Sequence, residues 1–274
     1  MRRILVGFDG SAASVAALRW AVAEGRLHDA KVDAWTAFGP YGELPPRLRH
    51  TELVEHDRKA LTDLVTELTG DADVHHGVVE GRPAQELVRM SREADLLVVG
   101  TRGHSAFEGP PLGAVSRACL HGAHSAVAVV RAKQPVDALT RPVVVGVDGS
   151  MFARQALVTA AREARLRGTA LHVVHAVYWD HLGGMNPFAP GTDDLVDWGR
   201  RLVNAELAEV ELGVPLQSFV LPGHPAQVLT RASGRASLLV IGSHGHGGLS
   251  TRLLGSVASH CAAASRCPTL VTRP

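Results

Sequence analysis

Lysines, aromatic residues, cysteines, surplus charge and long apolar runs are all scarce in this chain of 274 residues. With lysine only at 31, 59 and 133 and a formal net charge of +1, there is no basic excess to hold a polyanion, so nucleic acid is not an expected partner. No apolar run approaches the roughly 20 residues of a membrane span. The opening Met1-Arg2-Arg3-Ile4-Leu5-Val6-Gly7-Phe8-Asp9 turns acidic too soon for a signal peptide and reads as a first strand. The expectation is a cytoplasmic protein without a membrane span. Cys119, Cys261 and Cys267 are too few for a disulfide framework, and two of them fall on apolar helical patterns, where a buried thiol is the plain reading. What is plentiful is apolar content, 46% of the residues, and length enough for two domains with a core each.

The chain repeats itself. Gly7-Phe8-Asp9-Gly10-Ser11 recurs as Gly146-Val147-Asp148-Gly149-Ser150, and Gly81-Arg82-Pro83-Ala84-Gln85 as Gly223-His224-Pro225-Ala226-Gln227. Gly100, Gly103 and Gly113 recur as Gly242, Gly245 and Gly255. The offset is 139 at the first motif (7 to 146) and 142 at the others (81 to 223, 100 to 242), so three residues enter between, and the Gly/Pro-rich stretch 178–190 is their expected place. The unit is domain-sized, too long for a solenoid repeat. The expected division is 1–132, a linker at 133–141, and 142–274.

Within the first half, strands are expected near 3–8, 31–38, 73–79, 95–100 and 126–130, separated by helices near 12–27, 48–69, 83–92 and 113–123. Such alternation implies an α/β fold, a parallel sheet with helices on both faces. Ser11 and Ser150 precede alanine-rich helical patterns and are candidate N-caps; Pro83 and Pro225 suit a first helical turn.

The chemistry concentrates at Leu238-Leu239-Val240-Ile241, a buried strand by its pattern, followed by Gly242-Ser243-His244-Gly245 and, nine residues on, Gly255-Ser256 at the start of a helical run. Glycines let backbone N–H groups approach a ligand, and a helix start adds free N–H groups at a positive end, which together suit a phosphate chain. A Walker A loop is excluded because no lysine follows, and a dinucleotide fingerprint because the first strand ends in Gly7-Phe8-Asp9-Gly10-Ser11. The spacing Gly-x2-Gly-x9-Gly-Ser after a strand resembles the ATP-binding signature of the universal stress protein family, in its tandem-domain, actinobacterial form.

That resemblance implies two Rossmann-like open five-stranded sheets of order 3-2-1-4-5, with one ligand crevice per half where the order reverses. In the second half it implies that Gly146 and Asp148 lie at the crevice, that Ala176 touches adenine through its backbone, and that Gly242, Ser243, His244, Gly245, Gly255, Ser256 and Val257 hold ribose and phosphates. An acid beside phosphates makes magnesium a reasonable companion to ATP. The corresponding residues of the first half are Gly7, Asp9, Ala37, Gly100, Thr101, Arg102, Gly103, Gly113, Ala114 and Val115. Ala114 replaces the serine, so a weaker site is expected there. Val145 to Val147 read more simply as core, and Asp148-Gly149-Ser150 taken alone as a tight turn into a helix.

Among 15 histidines, His244-Gly245-His246 has no nearby cysteine or second acid and does not read as a zinc or iron site; no metal centre is expected. His172 and His175 read as satisfied strand histidines, and His75, His76, His121 and His124 as surface. No nucleophile elbow follows a strand, so no catalytic residue is expected. The resemblance implies a nucleotide-responsive regulator in stress or dormancy, halves packed within one chain with the last strands 126–130 and 269–272 adjacent, homodimerisation of the whole chain in addition, and an unidentified regulatory protein partner. A slow magnesium-dependent ATPase and a nucleotide-free dimerisation scaffold remain the alternatives.

Overall fold

Five-residue runs such as Leu-Leu-Val-Val-Gly and Leu-Leu-Val-Ile-Gly are apolar at nearly every position, which fits strands buried on both faces rather than alternating ones. The computed structural model bears this out and describes residues 1–38, 62–63, 65–67, 70, 74–103, 112–133, 140–178, 192–210, 212–245 and 254–273. The chain divides into two units, Met1–Lys133 and Gln134–Pro274. The first contains β1 (Arg3–Gly7), α1 (Ala12–His28), β2 (Lys31–Phe38), β3 (Val74–Glu80), α2 (Pro83–Met90), β4 (Leu96–Gly100), α3 (Ala114–Gly122) and β5 (Ala126–Val130). The second contains β6 (Val143–Gly146), α4 (Met151–Arg167), β7 (Leu171–Val177), α5 (Thr192–Ala208), β8 (Leu216–Pro222), α6 (Pro225–Ala232), β9 (Leu238–Gly242), α7 (Ser256–Ala264) and β10 (Thr269–Thr272).

In the first unit the strands lie in the order β3-β2-β1-β4-β5, and in the second β8-β7-β6-β9-β10, all parallel. Both are therefore open α/β sheets whose strand order reverses beside the first strand of the unit. Central strands β4 and β9 are buried along their length up to the closing glycine, whereas edge strands β3 and β8 carry exposed polar residues. The helices over the sheets are alanine-rich on the inner face, with Ala13, Ala17 and Ala21 in α1 and Ala153, Ala156, Ala160 and Ala164 in α4 buried. Small residues at helical spacing bring these helices close to the strands.

Local signals in the sequence set the helix ends. The Ser11 hydroxyl accepts from the Ser14 N–H at 3.3 Å and the Ser150 hydroxyl from the Ala153 N–H at 3.2 Å. Pro83 and Pro225 open α2 and α6, and Gly168 closes α4 in the left-handed conformation. The expected helix at 83–92 stops at Met90 and continues as a 3-10 turn over Ser91–Glu93, where the Ser91 hydroxyl donates to the Val88 carbonyl. Of the expected helix at 48–69, residues 62–63 and 65–67 are described and helical. The rest of it, residues 134–139 of the expected linker, 179–190 of the expected insertion, and residues 104–111 and 246–253 lie outside the described residues. All three cysteines are buried, and burial pushes each thiol up to about 12. No described helix is long and apolar enough to cross a membrane.

Candidate functional site

Strand β6 delivers its chain to a turn that the sequence dictates. Gly149 sits at φ 85°, a conformation that disfavours a side chain, and one Asp148 carboxylate oxygen accepts from the Ser150 N–H at 3.0 Å. The turn feeds directly into α4 through the Ser150 cap. Asp9, Gly10 (φ 77°) and Ser11 repeat this arrangement, with the same 3.0 Å bond. Read alone as a tight turn into a helix, the motif is therefore correctly described. The second carboxylate oxygen of Asp148 lies against Gly245, so closely that a Cβ there would strike it; Asp9 stands in the same relation to Gly103. Aspartate thus joins the first strand's end to the glycine loop in each unit.

The loop glycines serve packing before anything else. A Cβ on Gly242 would lie 2.8 Å from the backbone carbonyl carbon and oxygen of Phe152, and one on Gly100 2.7 Å from that of Ala13. Gly242 and Gly100 therefore let β9 and β4 run under the first turns of α4 and α1. Sequence reasoning assigned Gly242 to ligand approach; its missing side chain faces the helix start instead. The Gly255 N–H donates to the Ser243 carbonyl at 2.8 Å, and Gly113 donates to Thr101 at the same distance, which ties each helix start back to its loop.

These ties bring the residues together. Gly146, Asp148, Ala176, Gly242, Ser243, His244, Gly245, Gly255, Ser256 and Val257 all line one cavity of about 570 Å³ in the second unit. Its remaining lining includes Val147, Val174, Leu229 and Ile241, an apolar wall, together with His175 and Pro225. Val147 is thus both buried core and cavity wall. Pro225 and Leu229 belong to the stretch opened by the recurring Gly-x-Pro-Ala-Gln motif, which was the available signal, read only as helix punctuation. The cavity lining also includes the first turn of α7. Gly255 caps it without any side-chain hydrogen bond, leaving its N–H groups and the exposed Ser256 hydroxyl for a ligand or solvent.

Two histidines are among the residues lining the cavity. The Ser243 hydroxyl lies 3.0 Å from His244 Nδ1, and the ring packs 5.0 Å from Phe152. His175, 5% exposed, places Nδ1 2.8 Å from the Val147 carbonyl oxygen, with Trp198 at 5.9 Å. In both rings Nε2 is buried without a hydrogen-bond partner among the described residues. The expectation that His175 is a satisfied strand histidine is therefore corrected at one nitrogen. His246 lies outside the described residues. His75, His121 and His124 are exposed, while His76 is half-buried and bonded to Thr62 at 2.8 Å.

In the first unit, Gly7 ends β1, with the exposed Asp9 just beyond it. Ala37 lies in β2, and Gly100, Thr101, Arg102 and Gly103 close β4. Gly113 caps α3, with Ala114 and Val115 in its first turn. Thr101 is buried, and the Arg102 carbonyl accepts from the Ser11 hydroxyl at 3.3 Å. The serine absent at 114 has a counterpart two positions on, but Ser116 is buried and donates inward to the Gly100 carbonyl at 2.6 Å.

Two repeated α/β units, each with an aspartate turn and a glycine loop meeting at the strand-order reversal, define a tandem protein of the open parallel-sheet α/β class. The profile of the universal stress protein family matches residues 1–131 and 140–273, and the chain belongs to that family. It is 34% identical over 290 residues to a universal stress protein of Mycolicibacterium smegmatis, covering 99% of this chain and 97% of the relative. It is 32% identical to one of Mycobacterium tuberculosis, covering 98% and 96%. Among solved structures, a universal stress protein of Archaeoglobus fulgidus aligns over 99% of this chain and 98% of its own, with a TM-score of 0.73 and 21% identity, a likeness of fold.

Proposed function

We propose that the second unit binds ATP in this cavity and that the protein acts as a cytoplasmic, homodimeric, nucleotide-responsive regulator. The observation that supports this reading is the convergence of ten residues, singled out by the family resemblance, on one cavity lined both by apolar side chains and by a helix start whose cap makes no side-chain hydrogen bond. Its volume of about 570 Å³ falls within the roughly 300–1,000 Å³ of small-molecule sites. Phosphates would rest on the N–H groups of Ser256 and Val257 and of the loop at 244–245, where the helix end favours negative charge. The base would lie on the apolar wall beside Ala176.

The donor set fits magnesium in its usual manner with nucleotides, one carboxylate supplemented by phosphate oxygens. Among the described residues Asp148 is the one acid lining the cavity, and it is already oriented by the Ser150 N–H. The ion would neutralise the repulsion between that carboxylate and the phosphates. Regulation requires that bound and free states differ in affinity for a further partner.

Mass spectrometry of whatever the purified protein releases on denaturation, followed by calorimetric titration with magnesium ATP and magnesium GTP, tests the reading. Bound or titratable adenine nucleotide is the expected result, with weaker GTP binding. Absence of any nucleotide binding would return the protein to the scaffold class. Release of ADP with turnover would make it a slow ATPase.

A further inference from the structure

Strand β8 ends the strand order of the second unit, with β7 on one side and no described strand on the other. The Leu171 N–H donates to the Pro215 carbonyl at 2.8 Å, and the parallel register sets Leu171 beside Leu216. That bond fixes the alternation along the ladder: Gln217, Phe219 and Leu221 turn their backbone groups to β7, and Leu216, Ser218 and Val220 turn theirs outward. Pro222 is an outward residue too, and has no N–H to offer. Leu216, Gln217, Ser218 and Leu221 are exposed. An open row of N–H and C=O groups recruits another strand unless charge, proline or a bulge blunts it. The edge strand of the first unit is blunted, since β3 exposes His75 and Glu80 and carries Gly77 at its middle. β8 reads Leu-Gln-Ser-Phe-Val-Leu-Pro, with no charge and its proline at the last position.

The strand that fits this edge is a copy of itself. Antiparallel pairing about a two-fold axis at Ser218 sets Ser218 beside Ser218 and Leu216 beside Val220, so that every outward N–H of these residues meets an outward C=O. Proline fixes that register. An axis at Phe219 or Val220 would set Pro222 against Leu216 or Ser218 and lose a donor, and one at Gln217 would set Val220 against Val214, before the strand begins. Without a charged residue in β8, the pairing brings no like charges together. A Cβ on Gly199 of α5 would lie 2.7 Å from Val220 Cγ1, so Val220, and with it Ser218 and Leu216, points to the α5 face, where Ser218 is still exposed. We infer that β8 is an interaction surface for a second copy of this chain, the two sheets continuing across an antiparallel β8 pair centred on Ser218. The inference rests on the homodimeric part of the proposed function and gives it an interface.

Sedimentation velocity of the full chain over a concentration series, at low salt where charges are least screened, compares wild type with Ser218→Asp and Ser218→Lys. The side chain is exposed and the backbone groups of Ser218 point away from β7, so both variants should fold, which melting curves check. Wild type should self-associate. Each variant alone should do so about 10-fold or more weakly, because like charges meet across the axis, and an equimolar mixture of the two should recover the association. A strand that was merely damaged would give no such recovery. Wild-type dimers that persist unchanged in both variants would overturn the inference and put the interface elsewhere. Loss in both variants without recovery in the mixture would overturn it as well, since β8 would then meet a different surface of its partner. A wild type that stays monomeric at every concentration would remove the homodimer reading and this inference together, leaving the edge to a strand of another protein and ATP binding untouched.

Discussion

The two units share a backbone plan and differ in what fills it. Where β7 presents Val174 to the cavity, β2 presents Trp35, and the neighbouring edge strand compensates: Trp35 pairs with Gly77, Val174 with Phe219. A Cβ on Gly77 would come within 2.7 Å of the Trp35 ring, so the indole requires the glycine. The large and small partners have exchanged strands. Bulk thus sits on the inner strand in the first unit and on the edge strand in the second, where the inner position is left small and lines a cavity. The serine pair shows the same logic. Ser116 spends its hydroxyl on the Gly100 carbonyl, while Ser256, at the helix start, faces the cavity with Ala258 at the position equivalent to Ser116. Equal motifs therefore do not make equal surroundings, because the residues between them decide whether a hydroxyl turns inward to the fold or lines a cavity.

The largest expected effects test what the two units have in common. Gly242→Asp and Gly100→Asp should each destabilise the protein by about 1–3 kcal/mol or more, since either side chain meets helix backbone that cannot step aside. Thermal unfolding reads this directly. A Gly242→Asp variant with an unchanged melting temperature but no ATP binding would show that the glycine serves the ligand rather than the packing.

Ligand binding should then separate the units. Magnesium ATP at about 100 times its dissociation constant stabilises a native state by about 2.7 kcal/mol, or several degrees of melting temperature at about 2–4 °C per kcal/mol. Hydrogen exchange under those conditions should slow at 243–245 and 255–258 more than at 101–103 and 113–116. Equal protection in both places would erase the proposed difference. Smaller still, Ser256→Ala should weaken ATP binding by about 0.5–1.5 kcal/mol, and Ala114→Ser should strengthen any binding in the first unit by a similar amount, as calorimetry would detect.

Titration gives the finest comparison. Desolvation lowers the pKa of His172 on β7; at the equivalent place on β2 stands Asp33, ion-paired with Arg3. As pH falls through about 6.5 the unfolded chain takes up a proton on this histidine before the folded one does, so its contribution to stability is present above that pH and lost below it. His172→Phe should flatten the acid limb of the stability profile slightly. The buried thiols act at the other end. Their folded values of about 12 lie above the roughly 8.5 of an unfolded cysteine, so their contribution is complete below that pH and declines as pH rises towards 12. Native protein at neutral pH should resist iodoacetamide at all three cysteines, and unfolding should expose them together. Rapid alkylation of Cys119 alone would mark the first unit as the looser one.

Sequence alone determined the local structure, because its causes are local: serine caps, proline at helix starts, left-handed glycines, and apolar runs of strand length. It also pointed to the family, through the spacing of the glycine loop, and the resemblance named ten residues that line the cavity. Tertiary structure decided what each of those residues does. The missing side chain of Gly242 reads as room for a ligand until Phe152 is seen against it, and His175 reads as satisfied until one nitrogen is found paired and the other without a partner among the described residues. Spacing specifies which residues meet at the end of a sheet, but the direction of a missing side chain or a lone pair depends on neighbours distant in sequence. Only the packed chain brings those neighbours within reach.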